Sequence, residues 1–189
     1  MAATSMMSDL GSRLPSFALP EVTTGRTVSD ADVGGTTALL VMFICRHCPY
    51  VAHVREELAR LAVDYADADV AFVAISSNDP ETYPEDAPES LAEEARLAGY
   101  RFPYLFDEAQ EVAKAFGAAC TPDFFLYGPA RELVYRGQLD DSRPRNGIPV
   151  TGEHLRAAID AVLEGREVPP DQRPSVGCSI KWKPGNEPQ

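Results

Sequence analysis

The segment that reads FICRHCPY, residues 43–50, carries the side chains of this chain best suited to redox chemistry. Cys45 and Cys48 are three positions apart, His47 lies between them, and Pro49 follows. A dithiol at this spacing can exchange with a disulfide, because one thiolate attacks and the other, one turn away, resolves the mixed disulfide. The same residues could instead be half of a zinc site, a haem anchor, or two small core residues.

The elements on either side of this segment place the cysteines at the start of a helix. The run TTALLVMFIC, residues 36–45, is continuously apolar and predicts a strand buried on both faces. From Pro49 onward, apolar residues recur at helical spacing, and proline suits the first helical position. A helix N-terminus offers free N–H groups and a positive dipole, which favour a thiolate and lower its pKa from about 8.5 to roughly 7 or below. This placement favours the redox dithiol.

Zinc and haem sites fit the sequence less well. A structural zinc site needs a second pair of ligands, but Cys120 and Cys178 are isolated from each other and lack nearby histidines. Haem attachment requires histidine directly after the second cysteine, where this chain has Pro49. The sequence therefore predicts no metal and no cofactor. Packing of two small residues stays open as the alternative to a redox role.

The remaining pattern predicts an α/β fold with a mixed central sheet and helices on both faces. Residues 70–76, VAFVAIS, form a second buried strand, so that strand, helix and strand make a parallel βαβ unit. Residues 79–96 carry seven acids and one arginine, which predicts a surface insertion that ends in a helix. The segment FDEAQEVAKAFGA predicts a short helix, and DFFLYGPARELVYRG predicts an antiparallel hairpin around a Gly-Pro turn. A last helix should begin at Thr151 as N-cap and stop at Gly165.

We expect a single domain over 1–189, with a core over about 15–165. The N-terminal part of this core, residues 15–35, comes before the βαβ unit and predicts a small hairpin around Thr24 and Gly25. Five prolines predict an extended tail over 166–189. Within this tail, alternation puts three residues on one face that should dock on the domain: Cys178, Ile180 and Trp182.

The charge and composition of the chain limit which classes of partner it can bind and indicate in which cellular compartment it works. Seventeen basic residues against 29 acidic ones leave a net charge of -12, which argues against nucleic acid or an anionic membrane as the main partner. The first residues have neither a basic start nor an apolar segment, so we expect no secretory signal, and no run of about 18 apolar residues predicts a membrane span. We therefore expect a cytosolic chain, in which four cysteines serve as ligands, redox groups or core residues rather than as a disulfide framework.

In six segments the chain resembles the thioredoxin superfamily, and in detail its peroxiredoxin-like, thiol-disulfide isomerase branch, near the AhpC/TSA and TlpA families. These segments are PSFALPEVTTGRTVSDAD, MFICRHCPYV, SSNDPETYPEDAPE, CTPDFFLYG, RGQLDDSRPRN and GCSIKWK. The resemblance implies a thioredoxin-like fold with a redox-active Cys45–Cys48 pair. It also implies a cis-proline opposite the dithiol, which CTPDFF places at Pro122, directly after Thr121. The alternative for Pro122 is a proline that only starts a strand.

Several further residues are candidates for supporting roles. His47 directly before the second cysteine resembles disulfide isomerases and oxidases, where it can stabilise the Cys45 thiolate, and Arg46 could add positive potential. A solvated surface side chain is the alternative for each. The strand before the dithiol lacks the buried acid that many thioredoxins have there, and Asp123 or Asp79 could replace it, although a turn or capping role is more ordinary. Three more candidates lie in the matching segments: Asn78, Arg143 and Cys178.

Taken together, these features predict a thiol-disulfide oxidoreductase, with Cys45 as the exposed nucleophile and Cys48 as the resolving thiol. Its partners would be a disulfide-containing protein or a small thiol substrate, and an external thiol reductant. The main alternative is a peroxidase with antioxidant activity. Peroxiredoxins usually have a threonine three residues before the peroxide-reacting cysteine, and this chain has Met42 there. A non-catalytic redox sensor or binding module is the third alternative.

Overall fold

The computed structural model describes residues 2–188, and its helices and strands follow the predicted order closely. In chain order they are β1 (Ala2–Thr4), β2 (Ala18–Pro20), β3 (Thr27–Ser29), β4 (Ala38–Phe43), α1 (Pro49–Asp64), β5 (Val70–Ser76), α2 (Pro88–Ala98), β6 (Tyr104–Phe106), α3 (Glu111–Phe116), β7 (Cys120–Thr121), β8 (Asp123–Tyr127), β9 (Leu133–Gly137), α4 (Glu153–Leu163) and β10 (Val176–Ser179). A single 3₁₀ turn, Pro84–Asp86, precedes α2.

The central sheet is mixed, as predicted, with the strand order β6-β5-β4-β8-β9. The strands β4, β5 and β6 are parallel, while β8 is antiparallel to both β4 and β9. All six residues of β4 are buried, because α1, α2 and α4 cover one face of the sheet and α3 covers the other. The sequence did not predict β6, since three apolar residues are too few to show a strand period.

Helix α1 presents the dithiol at its N-terminus. Pro49 is its first residue, as predicted, and Cys48 is its N-cap in an extended conformation. Val54, Leu58 and Leu61 on its inner face are at most 5% exposed and pack under the sheet. The apolar stripe thereby fixes the helix against β4, so that the dithiol lies at the carboxyl ends of the parallel strands.

The start of α4 differs from the prediction that Thr151 is its N-cap. The N-cap is Gly152, whose φ of +69° is a left-handed conformation that glycine adopts without steric cost. The amide N–H groups of Thr151 and Gly152 both donate to the Asp140 carboxylate, each at 2.7 Å. The Asp140 carboxylate, more than ten residues earlier in the chain, thus binds the backbone just before α4, where no N-cap side chain does so. The predicted end at Gly165 is confirmed, since its φ is +67° directly after the helix.

The acidic insertion, residues 79–96, is more deeply buried than its charged composition predicts. It contains the predicted helix, α2, but Asp86 and Glu94 are 0% and 4% exposed. The Asp86 carboxylate pairs with His47, in the loop after β4, and the Glu94 carboxylate pairs with Arg55 of α1. These ion pairs compensate the cost of burying the two charges. The predicted N-terminal hairpin is confirmed as the antiparallel pair β2 and β3.

The C-terminal tail docks on the domain, as predicted, but not through one common face. Strand β10 lies between β1 and β7 in a separate three-stranded sheet. Cys178 packs on the side of α1, whereas Ile180 and Trp182 pack with the core on the other side of the central sheet. The prediction of a common face is wrong because β10 ends at Ser179, so the strand alternation does not continue to the tryptophan.

No helix within residues 2–188 combines the length and the apolar composition that crossing a lipid bilayer requires.

Candidate active site

The two cysteines of the motif lie in the turn between β4 and α1, and both are buried. Cys45 is 1% exposed and Cys48 is 0% exposed. The expectation that Cys45 is the exposed thiol is therefore wrong for this conformation. A large disulfide substrate can reach either sulfur only if the surrounding loops move.

The peptide bond between Thr121 and Pro122 is cis, as the resemblance implied, and it faces the dithiol. The Thr121 hydroxyl lies 3.3 Å from Cys45 Sγ, and the Thr121 carbonyl accepts a hydrogen bond from Cys48 Sγ at 3.2 Å. One residue thus contacts both sulfurs through two different groups. Pairing between β8 and β4 positions it, with Asp123 opposite Phe43 at the end of β4.

The two thiols titrate as a coupled pair. When Cys45 donates its proton toward Cys48 Sγ, that hydrogen bond and one from the Val51 amide, opposed by burial, lower the pKa of Cys48 to about 5. The same hydrogen bond, burial and the negative Asp86 raise the pKa of Cys45. The hydrogen bond from Cys48 to the Thr121 carbonyl requires the opposite arrangement, in which Cys48 keeps its proton. The first proton therefore leaves the pair at a lowered pKa, and the remaining one can lie on either sulfur.

Asp86 is the main residue of this site that the sequence did not predict. Its carboxylate accepts hydrogen bonds from the backbone N–H groups of Arg46 and His47, at 2.8 and 3.1 Å, and from Asn78 Nδ2 at 2.8 Å. It also forms a short contact with His47 Nδ1. Burial works to raise the pKa of Asp86, but the hydrogen bonds and the charge of His47 outweigh it, so the pKa is lowered. The carboxylate therefore stays charged and holds the CxxC loop in place.

His47 lies beside Cys45, and its surroundings favour the protonated imidazole. The hydrogen bond to Asp86 raises its pKa against the opposing effect of burial. Its Nδ1 lies 3.8 Å from Cys45 Sγ, and its ring stacks on Tyr83 with the ring centroids 4.8 Å apart. The imidazolium can stabilise a thiolate at Cys45, as expected from the sequence.

The other basic candidates do not reach the sulfurs. The Arg46 guanidinium points to α2, where it donates to the Ser90 carbonyl at 3.0 Å and pairs with Glu93 at 2.7 Å. Arg143 donates to the carbonyls of Asp140 and Ser142, both at 2.7 Å. The positive potential expected of Arg46 therefore acts on the acidic helix rather than on the dithiol.

The two predicted acids have different surroundings. Asp79 has the ordinary turn role, because its carboxylate accepts from the Glu81 amide at 3.1 Å and from the Thr82 hydroxyl at 2.7 Å. Asp123 is completely buried, and neither of its carboxylate oxygens has a hydrogen-bond partner of normal geometry. Burial raises its pKa to about 7, although the hydroxyl of Ser5 lies near enough to oppose this. Asp123 is the one predicted acid that can exchange a proton near neutral pH.

Asn78 and Cys178 connect the site to the tail. The Asn78 side chain donates to Asp86 and accepts from the Lys181 amide at 2.8 Å. Cys178 packs against the part of the core that contains Cys48, and each of these two cysteines shifts the pKa of the other. Cys178 was expected to be isolated from Cys120, but the pairing of Ser179 with Cys120 places the two cysteines on neighbouring strands.

Ligand atoms of the kind that bind metal ions also meet here. Cys45 Sγ, His47 Nδ1 and a carboxylate oxygen of Asp86 lie within 4.8 Å of one another. The histidine and the carboxylate are already hydrogen-bonded to each other, however, and the carboxylate also accepts from the backbone N–H groups of Arg46 and His47. The arrangement fits an ion pair better than a metal centre.

Comparisons with known proteins identify the family and the fold of the chain. Residues 10–136 match the AhpC/TSA family. The chain belongs to this family. Two solved structures resemble the chain along almost its whole length. A conserved protein from Geobacillus kaustophilus is 59% identical with a TM-score of 0.96, and the match covers 98% of each chain. A protein from Sinorhizobium meliloti 1021 is 52% identical with a TM-score of 0.94, over 96% of this chain and 99% of that one.

The family's fold extends to more distant structures. The thioredoxin domain of a thiol-disulfide oxidoreductase from Bacteroides vulgatus is 16% identical with a TM-score of 0.64, over 82% of this chain and 99% of that one. This likeness shows the fold, which is thioredoxin-like. A search among curated proteins finds no match to the chain. The family match supports a redox function for the chain.

Proposed function

We propose that this AhpC/TSA-family member is a thiol-disulfide oxidoreductase that works through Cys45 and Cys48. The observation that carries the proposal is the contact of Thr121 with both sulfurs, through its hydroxyl on Cys45 and its carbonyl on Cys48. Both sulfurs contact Thr121, and each thiol shifts the pKa of the other, so they lie close enough together for disulfide exchange. The family match and the fold support a redox role.

We assign the attacking role to Cys45. The His47 imidazolium and the Thr121 hydroxyl both lie beside its sulfur and stabilise a thiolate there. Cys48 is the better resolving thiol, because it donates a hydrogen bond to the Thr121 carbonyl and so keeps its proton while Cys45 is the thiolate.

The reaction then runs in two balanced steps. The Cys45 thiolate attacks one sulfur of the substrate disulfide, and the other substrate sulfur leaves and takes a proton. Cys48 loses its proton and attacks Cys45 Sγ in the mixed disulfide, which forms the Cys45–Cys48 disulfide and releases the second substrate thiol. The substrate gains two electrons and the pair loses two. An external thiol reductant returns the pair to the dithiol.

The exchange chemistry and the net charge of the chain suggest its substrate class and its cellular compartment. The substrate is a disulfide-containing protein or a small disulfide, and the net charge of -12 disfavours nucleic acid and anionic membranes as partners. We place the protein in the cytosol, where thiol reductants keep such a pair reduced.

Membership of the AhpC/TSA family favours a peroxidase as the second candidate. The Thr121 hydroxyl lies 3.3 Å from Cys45 Sγ and could orient a peroxide, although Met42 occupies the position three residues before Cys45. The thiolate would then reduce the peroxide and become a sulfenic acid, and Cys48 would condense with it and release water.

Parallel turnover assays test the proposal. Reduction of an insulin disulfide and of hydrogen peroxide should be measured for the wild type and for Cys45→Ser, with dithiothreitol as reductant. We expect disulfide turnover that Cys45→Ser abolishes and that Cys120→Ser, a buried cysteine outside the pair, retains. Peroxide turnover that exceeds disulfide turnover would favour the peroxidase, and the absence of both would favour a redox sensor.

A further inference from the structure

A third thiol lies against the dithiol, and the fold brings it there from the far end of the chain. In β10, Cys178 pairs with Thr121, the residue that contacts both sulfurs of the motif. Cys48 Sγ donates to the carbonyl of that same Thr121, and Cys48 and Cys178 lie close enough for each to shift the pKa of the other. It packs against the part of the core that also contains Cys45 and Cys48. Three sulfurs thus form one continuous cluster.

The position of Cys178 is built into the sheet rather than left to a mobile tail. On one side β10 pairs with β7, and on the other it pairs with β1, with Ala2 opposite Cys178. Gly177 allows a very close approach to the site, because a Cβ atom there would come within 2.0 Å of the Thr121 carbonyl oxygen. Any larger residue would push β10, and with it the thiol, away from Cys48.

The three sulfurs differ in exposure and in protonation. Cys45 and Cys48 are buried, whereas Cys178 is half-buried and is therefore the most accessible of the three. Burial and the adjacent Cys48 raise the pKa of Cys178 to about 12, so in the reduced protein it keeps its proton and can donate to Cys48 Sγ.

We propose that Cys178 is a third redox thiol, which exchanges with the Cys45–Cys48 disulfide to form a Cys48–Cys178 disulfide. This inference rests on the proposed disulfide exchange. In the step, Cys178 loses its proton and attacks Cys48 Sγ, the bond between Cys48 and Cys45 breaks, and the Cys45 sulfur leaves and takes a proton. No net oxidation occurs. The exchange moves the disulfide from two buried sulfurs to a pair that includes an accessible one, where the external thiol reductant can attack it.

The test maps disulfides in variants that leave only chosen thiols. Cys45→Ser removes the usual partner of Cys48, and the variant is oxidised with oxidised glutathione or with diamide, alkylated and digested without reduction. We expect an intramolecular Cys48–Cys178 disulfide. Cys120→Ser combined with Cys45→Ser should form it equally well, because Cys120 is not required. Cys48 that stays free, ends as a glutathione adduct, or bonds to Cys120 overturns the inference.

A second measurement uses the wild type, so its result does not depend on whether a cysteine variant folds. Partial oxidation followed by rapid alkylation should give a mixture of Cys45–Cys48 and Cys48–Cys178 disulfides. A Cys45–Cys48 disulfide alone at every degree of oxidation contradicts the exchange. Insulin turnover of the same samples separates the two proposals: turnover without the Cys48–Cys178 disulfide overturns only the role of Cys178. The disulfide without turnover supports the exchange between the three thiols and overturns the oxidoreductase.

Discussion

His47 and Asp86 form an ion pair beside Cys45, although 39 positions separate them in the sequence. The carboxylate is completely buried and the imidazole is largely buried. The hydrogen bond to Asp86, together with the charge of that carboxylate, raises the pKa of His47, and His47 Nδ1 lies 3.8 Å from the Cys45 sulfur. The ion pair thus links the acidic insertion to the chemistry of the CxxC loop.

Replacement of Asp86 should weaken this link in a pH-dependent way. In Asp86→Asn we expect the pKa of His47 to fall and the fold to lose roughly 1.5–3 kcal/mol, the usual size of a hydrogen bond to a charged group. A raised His47 pKa stabilises the fold fully below the unfolded value near 6.5, and this contribution is lost as the pH rises through the folded pKa. Urea unfolding at several pH values should show a larger difference from the wild type at acidic than at alkaline pH. If the free energy of unfolding differed from the wild type by the same amount at every pH, protonation of His47 would not contribute to the effect of Asp86.

Removal of the imidazolium should make the dithiol harder to ionise. In His47→Asn the backbone N–H that donates to Asp86 is retained, while the cation 3.8 Å from Cys45 Sγ is lost. We expect the first pKa of the pair to rise by about one unit, as measured by thiolate absorbance or by the rate of alkylation against pH. Arg46→Gln is the matched control, because that guanidinium points to α2. A shift as large in Arg46→Gln would show that net charge, not the position of His47, controls the pair.

Loss of the resolving thiol should trap the substrate on Cys45. In Cys48→Ser a mixed disulfide between Cys45 and one sulfur of a disulfide substrate should accumulate, because the second step of the exchange cannot occur. Mass spectrometry of the non-reduced protein identifies the adduct and its site. In Cys45→Ser we expect no stable adduct, since Cys178 can resolve one that forms on Cys48. An adduct that forms only through Cys48 would reverse the assignment of the two roles.

Asp123 should destabilise the fold as it ionises. Its folded pKa of about 7 lies above the ordinary value of 3.8, so the folded state binds the extra proton between these values and stability falls as the pH rises through them. A shift of this size corresponds to a penalty on the order of 4 kcal/mol above pH 7. Asp123→Asn should therefore be more stable than the wild type at pH 8 and show no such gain near pH 4. If turnover also loses a pH dependence near neutrality in this variant, the carboxyl takes part in proton transfer.

Local patterns in the sequence determined the parts of the fold that a few neighbouring residues specify. The unbroken apolar run of β4, the stripe of α1 and the proline at its start predict a buried strand that leads into a helix with Cys48 at its N-terminus. The parallel pair and the β8–β9 hairpin follow from the same periods and turn residues. Burial of one face or of both faces imposes these periods on the residues themselves, so they can be recognised without the tertiary structure.

Only the tertiary structure decided which distant groups surround the sulfurs. The acidic insertion has the composition of a solvated surface, yet Asp86 is buried there because the N–H groups of the CxxC loop and His47 compensate its charge. Cys178 reaches Cys48 because β10 inserts between β1 and β7. These contacts join segments tens of residues apart, and a side chain carries no local trace of a partner that the folded chain brings to it. The residue types that do the chemistry can therefore be predicted from the sequence, whereas their charges and protonation depend on long-range packing.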